Sequence, residues 1–198
     1  MAKAKPMRVP KLSTGWIVAI GIIAILLITT LWAAGTYNNL VTKDEETNRA
    51  WANVQSAYQR RADLIPNLVA TVKAYSTYEG DVLTQITEAR SGLMNAKTPG
   101  QLDAADANLN SAISRLLVVV ENYPTLKANE NYLSLQDELA GTENRVKTER
   151  DIYNSAVKDY NINVRRFPSN ILAGWFGFGQ KESFAAAPGS ENAPKVTF

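Results

Sequence analysis

The chain of 198 residues contains neither histidine nor cysteine, so acid–base or nucleophilic chemistry would fall to carboxylates, lysines, serines and tyrosines. The acids are scattered over helix faces that the hydrophobic pattern marks as solvated, and the G-x-x-x-x-G-K phosphate loop is absent. Disulfides and thiolate or imidazole metal sites are excluded by the same composition. The sequence therefore predicts no enzyme, no cofactor and no metal. Its densest polar groups are Arg60-Arg61-x-Asp63 and Glu143-Asn144-Arg145, the latter followed by Arg150. On opposing helices such charges are expected to pair and fix register rather than carry chemistry. Tyr-Asn dipeptides at 37–38, 153–154 and 160–161, with the reverse order at 131–132, invite two readings. One is a polar seam that contacts a ligand. The simpler one is a tyrosine ring filling a bundle core while its hydroxyl reaches the surface or an asparagine amide.

The elements that position these groups follow from a proline. Pro66 lacks a backbone donor and clashes with the carbonyl four residues earlier, so it is expected in a first helical turn. Asp63 is then the N-cap, so one helix ends near Arg61 and another begins at Asp63.

Upstream, no charge occurs between Lys11 and Lys43, and Trp16–Ala34 is almost wholly apolar. At 1.5 Å per residue this run is about 28 Å long, enough to cross a bilayer. A cleaved signal peptide is the competing reading, supported by Ala33-Ala34-Gly35, although signal cores are usually only about 7 to 15 residues long. Lys3, Lys5, Arg8 and Lys11 precede the run, against Lys43 and Arg49 after it. The asymmetry puts the N-terminus in the cytoplasm and the body outside the inner membrane, in the periplasm if the cell has two membranes. The remaining 17 of 21 basic residues face all 19 acids, so the body carries about −2 and is not a nucleic-acid binder.

Beyond a weak stripe near Asp44–Glu46, read as a solvated stalk, the periodicity is helical throughout. Ile65, Leu68, Val72, Tyr75, Val82, Ile86, Ala89 and Leu93 form one face, in which Gly80 reads as a tolerated glycine. Leu102, Ala105, Leu109, Ala112, Leu116, Val119 and Tyr123 form a coiled-coil-like seam, entered through Thr98 as cap and Pro99 at the first position. Leu135, Leu139, Val146, Tyr153, Val157, Tyr160 and Val164 form the last face. A strand pattern arises only at Lys195-Val196-Thr197-Phe198.

Three sets of residues carry a family likeness. The first is Tyr37-Asn38-x-Leu40-Val41 with Ala50-Trp51 and Arg60-Arg61-x-Asp63-Leu64-Ile65-Pro66-Asn67-Leu68-Val69. The second is Glu138-Leu139-x-x-Thr142-Glu143-Asn144-Arg145-Val146, and the third Phe167-Pro168-Ser169-Asn170 with Phe176-Gly177-Phe178. From Tyr37 to the end the chain resembles the LemA family of bacterial membrane-anchored helical proteins. It departs where the family usually has histidine before a glutamate, since Tyr78 precedes Glu79 here. The resemblance implies a non-enzymatic envelope role and, for some relatives, partnership with other membrane-bound envelope proteins.

The expected architecture is all-α: a basic tail over 1–12, a transmembrane anchor over 13–36, an antiparallel up-down-up-down bundle over 37–166, and an apolar membrane-proximal segment with a tail over 167–198. Counting helix directions returns residue 167 to the bilayer surface, where Trp175, Phe176 and Phe178 would meet lipid headgroups behind Arg165 and Arg166. The competing expectation is that these aromatics plug the bottom of the bundle. Arg60, Arg61, Asp63, Pro66, Asn67, Glu143, Asn144 and Arg145 are expected as structural or interaction residues. The expected function is a self-associating membrane scaffold that organises membrane or partner proteins. A helical module capturing an envelope peptide or apolar ligand is the alternative, and a cleft lined by Tyr75, Tyr123, Tyr132 and Tyr153 would favour it.

Overall fold

The structure, a computed structural model, describes residues 14–75 and 80–185. The basic tail, Tyr78 and Glu79, and the strand pattern near the C-terminus lie outside these residues. Those described form six helices and no strand: α1 (Thr14–Lys73), α2 (Gly80–Asn95), α3 (Pro99–Val120), α4 (Pro124–Lys127), α5 (Glu130–Arg165) and α6 (Ser169–Phe176).

The expected turn at residues 62–63 does not exist. α1 runs unbroken through 60 residues, from the apolar run into the bundle, with Pro66 inside it. Asp63 caps nothing; it is exposed and accepts from Gln59 Nε2 in its own helix at 2.8 Å. The reason lies in a third element. Pro66 cannot donate to the Ala62 carbonyl, and Arg90 Nε of α2 donates to that oxygen instead, at 2.9 Å. The vacant acceptor is thus satisfied across the α1–α2 interface, while Ala62, Leu64, Ile65 and Leu68 stay buried on the continuing helical stripe. The chain turns later, after Lys73, and Gly80 opens α2 rather than sitting inside a helix.

α1 and α5 form an antiparallel pair, as contacts from top to bottom show: Tyr75 with Asn129, Arg60 with Glu138, Trp51 with Tyr153. α2 and α3 make a shorter hairpin on the upper part of this pair, with Gln85 of α2 bonded to Arg115 of α3. Thr98 caps α3 by accepting from the Gln101 amide at 3.2 Å, and Pro99 opens the helix. The α3 stripe closes on Val120 rather than Val119, following the four-residue step from Leu116. Leu102, Leu109 and Leu116 meet Val54, Ile65, Val72, Ile86 and Val157 in one main core. A smaller cluster of Leu40, Tyr160, Val164 and Ala173 lies below it, with Phe178 packed against it. The expected stalk is therefore wrong, because Leu40 and Thr47 are buried against α5, α6 and the segment that follows α6.

Candidate functional site

Three arrangements could carry function, and each is built on α1 and α5. The first is a charged centre in the bundle. Arg61 is 2% exposed. Its guanidinium donates to Asp106 Oδ1 at 2.6 Å and Asn110 Oδ1 at 2.5 Å on α3, and lies 3.6 Å from Glu143 on α5. Burial pushes the Asp106 carboxyl above the usual carboxylate range, against the pull of Arg61. Arg150 pairs with Asp103 nearby, and burial pushes the Tyr58 hydroxyl up to about 12. These groups tie three helices in register and present no nucleophile beside a base. Beside them a groove of about 610 Å³ opens, bordered by Arg61, Leu68, Ile113, Leu117, Tyr132 and Glu143. Of the tyrosines expected to line a cleft, Tyr132 borders this groove. Tyr75 bonds Asn129 at the top, Tyr123 precedes α4, and Tyr153 lies far below.

The sequence-level candidates separate here. Arg61 and Glu143 come together as expected, and Arg60 reaches Glu138 at 3.3 Å. Arg145 instead pairs within α5, with Glu149 at 2.9 Å. Asn67 and Asn144 are exposed and lend their carbonyls to Thr71 and Thr148 one turn on. Asp106, Asn110 and Arg90 were not singled out, because a lone acid or amide on a seam of alternating apolar residues carries no signal of its partner.

The second arrangement is the base. α6 is a short apolar helix laid against α1 just above the apolar run, with Phe176 and Phe178 at 4.8 and 5.9 Å from the Tyr37 ring. Leu172 and Ala173 face inward, whereas Phe167 and Trp175 are 76% and 79% exposed, with Phe176 and Ile171 also outward. The α5–α6 corner reaches the end of the apolar run: Asn163 and Ser169 share a groove of about 380 Å³ with Leu31, Trp32 and Gly35. Arg165 and Arg166, both exposed, flank it. Phe178 thus serves the base cluster, as a bottom plug would, while Trp175 and Phe167 point away.

The third arrangement was not foreseen. After Gly177, whose left-handed backbone (φ 77°) ends α6, the chain straightens and runs up the α1–α5 seam. Asn161 reads Lys181 in both directions, its amide donating to the Lys181 carbonyl and its oxygen accepting the Lys181 N–H, each at 2.9 Å. Asn154 does the same for Phe184, at 3.3 and 2.9 Å. Tyr153 Oη donates to the Glu182 carbonyl at 2.9 Å. Seven helical residues rise about 10.5 Å and three extended residues span about 10 Å, so a heptad of α5 matches a three-residue repeat of the strap. Lys181 Nζ reaches Asp44 Oδ1 at 2.9 Å, Thr47 Oγ1 at 2.5 Å and Asn48 Oδ1 at 2.6 Å, and stands 5.2 Å over the Tyr160 ring. Phe184 is 4% exposed, set between Trp51 and Tyr153 with the Arg150 guanidinium 4.5 Å over its face. The Tyr-Asn dipeptides at 153–154 and 160–161 are thus both core tyrosines and a polar seam, and the seam holds the chain's own tail.

Magnetosome protein MamQ 2 of Paramagnetospirillum magneticum is 27% identical over 94% of this chain and 79% of its own length. Magnetosome protein MamQ of Magnetospirillum gryphiswaldense is 24% identical over 100% of the chain and 81% of its own length. Protein LemA of Metamycoplasma hominis is 26% identical over 70% of the chain and 64% of its own length. The model of the LemA family matches residues 50–198, which include the charged centre, α6 and the strap residues 181–184, and the chain belongs to that family.

Proposed function

We propose that the protein is a non-enzymatic, membrane-anchored scaffold that self-associates, with its N-terminus in the cytoplasm and its bundle resting on the outer face of the inner membrane. The observation that carries this reading is the uninterrupted α1. One helix holds the only candidate membrane span among the described residues and one wall of the bundle, so the body has no joint at its base. The outward aromatics of α6, level with Tyr37 and flanked by Arg165 and Arg166, suit a second contact with the headgroup layer. A body held at both points has a fixed orientation above the bilayer, as a template for neighbours requires. At the end of α3, Leu117 and Val118 are exposed and supply an apolar patch for contact between copies. Confinement to one membrane raises their effective concentration. The MamQ proteins are magnetosome proteins by name, which supports a role in organising membranes or membrane-bound partners.

The chain has no cysteine, so single replacements report proximity without background. Val118→Cys in native membranes should give a disulfide-linked dimer on mild oxidation, and Asn108→Cys on another face of α3 should not. Monomers alone at Val118→Cys, or equal dimer at both positions, would refute self-association through this patch. Alkaline phosphatase fused after Phe198 should be active, and an inactive fusion of full length would reverse the orientation.

A further inference from the structure

We infer that the α1–α5 seam around Asn154 and Asn161 is a recognition site for extended peptide segments bearing a lysine and, three residues on, a phenylalanine. Residues 181–184 fill it as a tethered ligand. The inference goes beyond the scaffold reading and stands without it. Paired asparagine amides read backbone, so they accept any extended chain in register. Two sockets add the sequence. Asp44, Thr47 and Asn48 give a lysine ammonium one charged and two neutral acceptors. Trp51, Tyr153 and Arg150 enclose one aromatic ring. The two residues between, Glu182 and Ser183, are exposed, with the Glu182 carboxylate lying beside Gly100 at the start of α3.

The hydrogen bonds, ion pair and ring contacts that hold Lys181 and Phe184 all come from α1 and α5, which also meet in the main core through Val54, Ile65, Val146 and Val157, a core that Phe184 joins. A peptide of the same pattern from a neighbouring protein would find the same contacts. The tether runs through Gly177 and Gly179, and short flexible linkers hold a tethered ligand at an effective concentration in the mM range. A free competitor therefore meets an occupied site, and the strap sets a threshold that only a close match at high local concentration passes.

The test uses the full chain in detergent micelles and, as probe, a fluorescein-labelled peptide with the sequence of residues 179–185. The doubly substituted chain Lys181→Ala, Phe184→Ala should bind the probe saturably by fluorescence anisotropy, at least tenfold more tightly than the unaltered chain. Adding Asn154→Ala and Asn161→Ala should abolish binding, and probes with alanine for the lysine or the phenylalanine should bind at least tenfold more weakly. A strap-released chain that keeps its helical circular dichroism yet ignores the probe, or binds it regardless of the two asparagines, overturns the proposal. If the released chain loses its helicity, a protease site inserted between Gly179 and Gln180 of the otherwise unaltered chain decides. After cleavage the probe should replace the freed segment, and a cleaved chain that takes up no probe overturns the proposal equally.

Discussion

Pro66 should be the only reason Arg90 matters. The Ala62 carbonyl is buried, receives no bond from residue 66, and is satisfied by Arg90 Nε at 2.9 Å. Arg90→Met keeps most of the aliphatic stem and removes the donor, leaving a buried acceptor unpaired at a cost of ~1–3 kcal/mol. In a Pro66→Ala background the amide of residue 66 supplies the missing helical bond, and Arg90→Met should then cost only a few tenths of a kcal/mol. The coupling between the sites is thus expected at ~1–2 kcal/mol, within the range for contacting pairs. Pro66→Ala alone should stabilise. The interior proline penalty of up to ~3 kcal/mol is relieved, offset by the ~0.4–1 kcal/mol that proline contributes by restricting the unfolded chain. For a domain of this size, 1 kcal/mol corresponds to roughly 2–4 °C in melting temperature. Chemical unfolding of the four proteins in detergent, followed by far-ultraviolet circular dichroism, measures the cycle. Equal cost of Arg90→Met in both backgrounds, or a destabilising Pro66→Ala, would refute the account of why α1 passes through its proline.

Asp106→Ala should destabilise by ~3–5 kcal/mol in the same assay, because it leaves Arg61 buried without its closest carboxylate, whereas Arg61→Met with Asp106→Leu should cost far less. Thr98→Ala should cost ~1 kcal/mol by removing the acceptor for the Gln101 amide at the start of α3. Burial pushes the hydroxyls of Tyr58 and Tyr160 up to about 12. Each is neutral in both states below the unfolded value near 10, so stability should fall as pH rises from 10 through 12, when only the unfolded chain ionises. Unfolding midpoints across that window should fall less steeply in the Tyr58→Phe, Tyr160→Phe protein, and an unchanged slope would show that these hydroxyls ionise freely in the fold.

Periodicity carried the helical architecture well, since an amphipathic stripe is written in every turn and needs no knowledge of its partner. Leu102, Ala105, Leu109 and Leu116 are buried as the three-four spacing requires. The turn at Asp63 failed for the complementary reason. Proline in a helix interior is unfavourable locally, and the group that compensates it, Arg90, is 24 positions along the chain on a helix of its own. The stalk failed similarly, because Asp44 and Thr47 look solvated until Lys181 arrives from the far end of the chain. Glu143 with Arg61 was legible from opposite charges on long helices, although nothing in Asp106 marked it as the closer partner. The strap did leave a trace: asparagines seven apart on one face of a helix, each beside a buried tyrosine, are an unusual polar feature where an apolar stripe suffices.

Whether a bundle continuous with its membrane span rests its base on the lipid is reported directly by Trp175. Of the four tryptophans, Trp16, Trp32 and Trp51 are replaced by phenylalanine, and the full chain is reconstituted into vesicles containing anionic lipid brominated at shallow or deep acyl positions. Trp175 fluorescence should be quenched strongly by shallow bromines, weakly by deep ones, and poorly by aqueous iodide. Strong iodide quenching with no effect of bromine at either depth, in a protein that remains helical, would place α6 in water and contradict the account.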